Sequence, residues 1–161
     1  MPPRLPFFKK ETPYSCVPAC LRIVLSHFGI EASEDELRLR SLTSLWGTNA
    51  SDAIACVKSF GLQAEEVREA TVENLREWLN HGLFPILLID PRPIRGEVGR
   101  HAIVTEGISE NQLLYLDPLT GRRVLGLHVI EQAWRLNHYR VILISPSQAG
   151  TRQVAHHQSQ E

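Results

Sequence analysis

Tyr14-Ser15-Cys16-Val17-Pro18-Ala19-Cys20-Leu21-Arg22-Ile23-Val24-Leu25 is the stretch on which the reading of this chain turns. Pro18 has no N–H, so it suits only the first turn of a helix, which places the helix start near Ser15 or Cys16. Cys20, Leu21, Val24, Leu25 and Phe28 then recur at helical spacing, and Gly29 ends the pattern. The Cys16 thiol thus falls at the start of an amphipathic, largely buried helix. Unpaired N–H groups and the partial positive charge of a helix N-terminus favour a thiolate over a thiol.

Working outward, two downstream residues complete a chemical pattern. His101 opens the apolar run Arg100-His101-Ala102-Ile103-Val104, and Asp117 closes Tyr115-Leu116-Asp117-Pro118. A cysteine, a histidine and an acid in this order suit a nucleophile, its base and the residue that orients the base. The runs His101 to Gly107 and Gln112 to Leu116 read as an antiparallel pair turning at Ser109 to Asn111. That hairpin would bring residues 101 and 117 to the same end of two neighbouring strands, with His101 on the rim of a cleft.

Each residue also has a plainer role. Cys16 could be a small buried hydrophobe, although polar Ser15 beside it argues for exposure. Asp117 before Pro118 is a natural turn opener. Cys20 lies one turn from Cys16, yet a zinc site needs further ligands and none follows at suitable spacing, so no metal is expected and Cys20 reads as core. Cys56, among Ile54, Val57 and Phe60, reads the same way. His27 and His81 sit at helix C-termini, where imidazoles meet free carbonyls.

Composition bounds the rest. The chain has 161 residues, 43% hydrophobic and 22% charged, with a formal net charge of −1. This suits one globular domain and gives no reason to expect binding to nucleic acid or an acidic membrane. An odd number of cysteines, three, favours a reducing compartment over a disulfide framework, so the expected location is cytoplasmic. The first ten residues include three prolines and no long apolar stretch, unlike a secretory signal. No run is long enough to span a membrane. No Gly-rich phosphate loop, HExxH or GxSxG is present.

Along the chain, residues 1–13 read as an extended N-terminal segment, 14–146 as the folded domain and 147–161 as a disordered tail. Helices are expected after Ser33, after Asn49 or Ser51, after Thr71 and from His128 to Leu136. Strands are expected at Gln63 to Arg68, Phe84 to Asp90 (a central one), Arg122 to Leu125 and Tyr139 to Ile144. Pro91 to Gly99 reads as a polar loop, and with Arg92, Arg95 and Arg100 as a substrate-facing lid or an ordinary solvated loop. The class is α+β, with an N-terminal helical half packed on a C-terminal antiparallel sheet.

The block from Tyr14 to Arg22 resembles the nucleophile motif of the C39 peptidases. These are papain-like cysteine proteases that include the leader-cleaving domains of bacteriocin-exporting ABC transporters. The family's Asp-Cys-Gly appears here as Ser15-Cys16-Val17. His101 to Gly107 is similar to the family's histidine block, and Asp117-Pro118-Leu119-Thr120-Gly121 to its Asp-Pro-x-x-Gly block. Gly47-Thr48 ahead of a helix ending at Phe60-Gly61-Leu62 is also similar, so the resemblance runs over residues 8–145. It implies a papain-like fold of bacterial origin and a cysteine peptidase with Cys16, His101 and Asp117 as triad and no cofactor. It also implies a peptide or protein substrate, such as a leader ending in two glycines, and a membrane transporter as a separate partner chain.

One position departs from the family. Six residues before the cysteine it carries a glutamine whose amide helps form the oxyanion hole, and here Lys10 stands in that place. Such donors are worth several kcal/mol. Lys10 therefore leaves open a working peptidase with a modified hole or a degenerate module that binds peptides without cutting them. An acyltransferase using the same residues is a third reading.

Overall fold

The segment around Cys16 forms α1, Cys16–His27, with Pro18 in its first turn and Gly29 just beyond its end at φ 81°. One face of α1 is fully enclosed, including Cys20, Leu21, Val24 and Leu25. Each fully buried aliphatic side chain of this kind contributes ~1.5–3 kcal/mol. In a computed structural model that describes residues 4–147, two further helices pack beside it, α2 (Glu34–Arg40) and α3 (Ala50–Lys58). Ser33 caps α2 by accepting the Glu36 N–H at 3.1 Å.

The chain continues through β1 (Gln63–Val67), α4 (Val72–Asn80), β2 (Ile86–Ile89), α5 (Arg92–Arg95) and β3 (His101–Ser109). It ends with β4 (Gln112–Asp117), β5 (Gly121–Gly126), α6 (Leu127–Arg135) and β6 (Arg140–Ser145). The six strands form one antiparallel sheet in the order β1-β6-β2-β3-β4-β5. This is the expected α+β arrangement, with N-terminal helices on an antiparallel sheet.

The sheet is covered on both faces, which the sequence reading did not specify. Ile86 and Leu88 of β2 join the core under α1 to α3, while Leu87 and Ile89 join a second core with α4 and α6. Alternate strand residues point to opposite faces, so a strand buried on both sides reads as an unbroken apolar run. That explains why Phe84 to Asp90 carries no alternation of polarity. Pro91 to Gly99 is also not purely a loop, because Arg92–Arg95 closes one helical turn, α5, that Gly96 ends at φ 77°. Of the expected disordered tail, residues 148–161 lie outside the described residues.

A strap formed by residues 4–13 crosses the sheet before α1. The Arg122 guanidinium binds Glu106 through Nε (2.8 Å) and Nη2 (2.9 Å), and Nη2 also donates to the Leu5 carbonyl at 2.7 Å. Glu106 in turn accepts the Leu5 N–H at 2.8 Å. Further along, the Lys10 N–H donates to the Pro118 carbonyl at 2.8 Å, and the Glu11 N–H to the buried Glu34 carboxylate at 3.0 Å. The strap therefore ties the start of α1 to the Asp117 turn.

Candidate active site

Cys16 opens α1 half-buried, whereas Cys20 and Cys56 are enclosed. The basis for its exposure differs from the sequence argument. Ser15 is completely buried, and its hydroxyl turns back to donate to the Thr12 carbonyl and accept the Thr12 N–H, both at 3.1 Å. It makes no capping bond to α1. Among the described residues the Cys16 N–H has no acceptor, so a donor stands open beside its own sulfur.

His101 opens β3 and is 4% exposed, buried deeper than a cleft-rim position. Asp117 ends β4 and is also buried. His101 Nε2 lies 2.8 Å from Asp117 Oδ1, and the same oxygen accepts the Leu119 N–H at 2.8 Å. The turn role and the histidine contact, weighed as competitors from sequence, coexist on one carboxylate oxygen. Arg95 of α5 approaches the other oxygen, Nη1 to Oδ2, at 3.7 Å. Cys16 and the imidazole line the same cavity, and the thiol is close enough to act on the ring's protonation. With Nε2 committed to Asp117, Nδ1 is the ring nitrogen left for the thiol.

The electrostatics follow from these contacts. Burial pulls the His101 pKa down, but the hydrogen bonds to Asp117 and Cys16 and their negative charge outweigh it, and the net direction is up. Burial pushes the Asp117 pKa up, and the His101 bond and charge, the Leu119 N–H and Arg95 together hold it below the ordinary carboxylate value. Burial, with the nearby Cys16 and Asp117, pushes the Cys20 thiol well up. Cys56 is also raised, chiefly by burial. These two thiols are kept protonated and inert.

Lys10 lies outside the cavity beside Cys16. Its ammonium donates to the Pro13 carbonyl at 3.2 Å. That cavity, about 270 Å³ in volume, has an apolar side made by Leu45, Trp46, Leu88 and Ile142. Trp46 is 91% exposed. The rest of the wall includes Asn49, Arg100, Asn137 and Arg140. Arg140 and Asn137 were missed by the sequence reading. The only signal for Arg140 is its place at the start of an apolar strand, the same position that singled out His101. Among the described residues no cluster of histidine, cysteine or acid could hold a metal ion, and no helix is long and apolar enough to cross a membrane.

Comparison with known proteins places the fold. No curated protein sequence matches the chain. The peptidase domain of Streptococcus ComA, a bi-functional ABC transporter of a quorum-sensing pathway, superposes with a TM-score of 0.75 at 23% identity, over 89% of this chain and 98% of that one. A double glycine motif protease from an AMS/PCAT transporter, solved with a leader peptide, gives 0.74 at 17% identity, over 89% of this chain and 93% of the other. A C39-like peptidase from Bacillus anthracis gives 0.74 at 14% identity, over 87% and 94%. The sequence pattern of the Peptidase C39 family matches residues 4–149. With all of the described residues inside that match, this protein belongs to the Peptidase C39 family.

Proposed function

We propose that the chain is a cysteine peptidase whose triad is Cys16, His101 and Asp117, carried by a domain spanning residues 14–146. The observation that carries this reading is the buried imidazole bonded to the Asp117 carboxylate at 2.8 Å and lining, with Cys16, the wall of one open cavity. In the acylation step the Cys16 thiolate attacks the scissile carbonyl and forms a tetrahedral oxyanion. His101 holds the thiol proton and delivers it to the departing amine, leaving a thioester. Water activated by His101 then hydrolyses that thioester and frees the thiol. Asp117 fixes the tautomer and favours the imidazolium.

The open Cys16 N–H is the first oxyanion donor. Lys10, at the family's glutamine position, supplies the second only by exchanging its Pro13 contact for the oxyanion. A flexible ammonium holds a donor less firmly than a fixed amide. The raised His101 pKa supports catalysis over the degenerate peptide-binding module, since it favours the imidazolium that must hand a proton to the leaving amine. The substrate is a peptide, and the named neighbours suggest a leader ending in two glycines. By the same likeness the site works on the cytoplasmic side, alongside a transporter chain.

Alkylation with iodoacetamide followed by mass mapping tests this. Cys16 should label selectively at neutral pH, and His101→Ala should abolish the selectivity. Equal, slow labelling of all three thiols would leave the binding module in its place. Lys10→Gln should raise turnover if the lysine is a handicap.

A further inference from the structure

The polar wall of the cavity beside Cys16 carries Arg100 and Arg140, with Asn49 and Asn137 beside them. Among the described residues no aspartate or glutamate lines it. The three arginines of the segment between β2 and β3 have different surroundings. Arg92 is bonded to Asp90, and Arg95 is shared by Glu97 and Asp117. Arg100 has no hydrogen-bonding or ionic partner among the described residues, and it is the one that faces the cavity.

Arg140 is only partly neutralised. Its Nε donates to Glu66 at 2.7 Å, but the same Glu66 oxygen also meets Arg68 Nε at 3.3 Å. One carboxylate between two guanidiniums leaves one positive charge uncompensated. The chain just before Arg140 is also strained. His138 and Tyr139 both take the left-handed region, at φ 59° and 51°. Their carbonyls accept the Glu69 and Ala70 N–H groups at 3.0 and 3.2 Å, and the Trp134 indole N–H donates to the Arg140 carbonyl at 2.9 Å. Two consecutive non-glycine residues persist there only because the surroundings enforce it, and such strain gathers at functional sites. Here it aims Asn137 and Arg140 at the cavity.

We propose that this cavity selects a peptide bearing a carboxylate next to the cleaved bond, received by the Arg100 and Arg140 guanidiniums. The inference rests on the peptidase reading and adds substrate charge to it. Below the ~300–1,000 Å³ of a typical small-molecule site, the cavity suits one side chain or a chain end. Arginine forks match a carboxylate in two parallel bonds. The carboxylate can come from an acidic side chain or from a free C-terminus, and the chemistry is shared.

The test uses the full chain with Cys16→Ala, so that binding is read without turnover. Fluorescein-labelled, C-terminally amidated peptides carry a single Glu or Gln at each position of a Gly/Ala scaffold, and a second set has free C-termini. A carboxylate at one position, or at the free end, should tighten binding about tenfold over its neutral counterpart. The advantage should shrink as salt is added. Arg100→Gln should remove it, and Arg100→Glu should move the preference to a Lys peptide. Arg140→Gln also breaks the Glu66 contact, so Arg100, exposed and unpaired, gives the decisive variant. Equal binding of acidic and neutral peptides, or a preference that survives Arg100→Gln, overturns the inference. The same peptides incubated with the unmodified protein separate the two readings. Acid preference without cleavage rejects the peptidase and keeps the acid site, while cleavage indifferent to charge does the reverse.

Discussion

Two helix starts that border the cavity are left uncapped, and two that do not border it are capped. At α1 the cap position holds Ser15 and at α3 it holds Asn49, both residue types that cap well, yet neither makes a capping bond. At α2 Ser33 accepts the Glu36 N–H, and at α4 Thr71 and Asn74 exchange bonds in a full capping box. Each missing cap forgoes ~1 kcal/mol. α5 and α6 also start without a side-chain cap, but only at α1 and α3 do the free N–H groups stand at the cavity, where chemistry or ligand can use them. Asp117, on the sheet side of the same site, shows the opposite treatment, with one oxygen accepting two bonds.

The largest effect should come from breaking that saturated side. Asp117→Asn puts an amide where the carboxylate fixed the imidazole, and peptidase turnover should fall roughly a thousandfold or more. The alkaline limb of the pH profile should also move to lower pH, because Asp117 is a main contributor to the raised His101 pKa. The same pair sets a stability window. A raised His101 pKa adds stability that is complete below its ordinary 6.5 and is lost as pH climbs through the folded value. A depressed Asp117 pKa adds stability that is present above its ordinary 3.8 and is lost as pH falls through the folded value. Urea midpoints of the native chain should therefore gain most from the pair between these limits, and Asp117→Asn should flatten that gain.

The caps give a smaller effect and a direct test of the comparison. Thr71→Ala removes the box at α4 and should cost about 1 kcal/mol in urea unfolding. Asn49→Ala removes no capping bond and should change stability by only a few tenths of a kcal/mol. It should instead weaken peptide binding, since Asn49 lines the cavity. Equal losses of stability at both positions would end the idea that the α3 start is held open for a ligand.

Much of this was legible because the signals are local. Pro18 in a first turn and Gly29 at the end bracket α1, and Ser33 and Thr71 announce α2 and α4 through short-range cap chemistry. The hairpin length alone brought residues 101 and 117 to one end of two strands. What stayed hidden depends on contacts between distant segments. Ser15 reads as exposed from its type, but the strap folds over it and pairs it with Thr12. The helix expected from His128 to Leu136 gives no sign of what it packs on until the second face of the sheet is known, and Trp134 of α6 proves to be buried there. Arg140 stands at the start of an apolar strand, but that place does not tell which way it faces, because its direction is set by a bend held from Glu69, Ala70 and Trp134.

The smallest effect concerns Arg95, which bridges the helical turn α5 to the site. It meets Asp117 Oδ2 at 3.7 Å and Glu97 at 3.2 Å, so its charge is divided between two carboxylates. It comes after burial, His101 and the Leu119 N–H among the influences on Asp117. A pair of this kind is worth ~0.2–1 kcal/mol. Arg95→Gln should therefore raise the Asp117 pKa and move the acid limb of stability upward in pH, as NMR titration of the Asp117 carboxyl would show. Glu97→Gln should do the reverse, since it returns the whole guanidinium to Asp117. If Arg95→Gln lowers kcat/KM about tenfold while the titration of Asp117 and His101 stays in place, Arg95 contacts substrate directly. The acid-selective wall of the cavity would then extend onto α5.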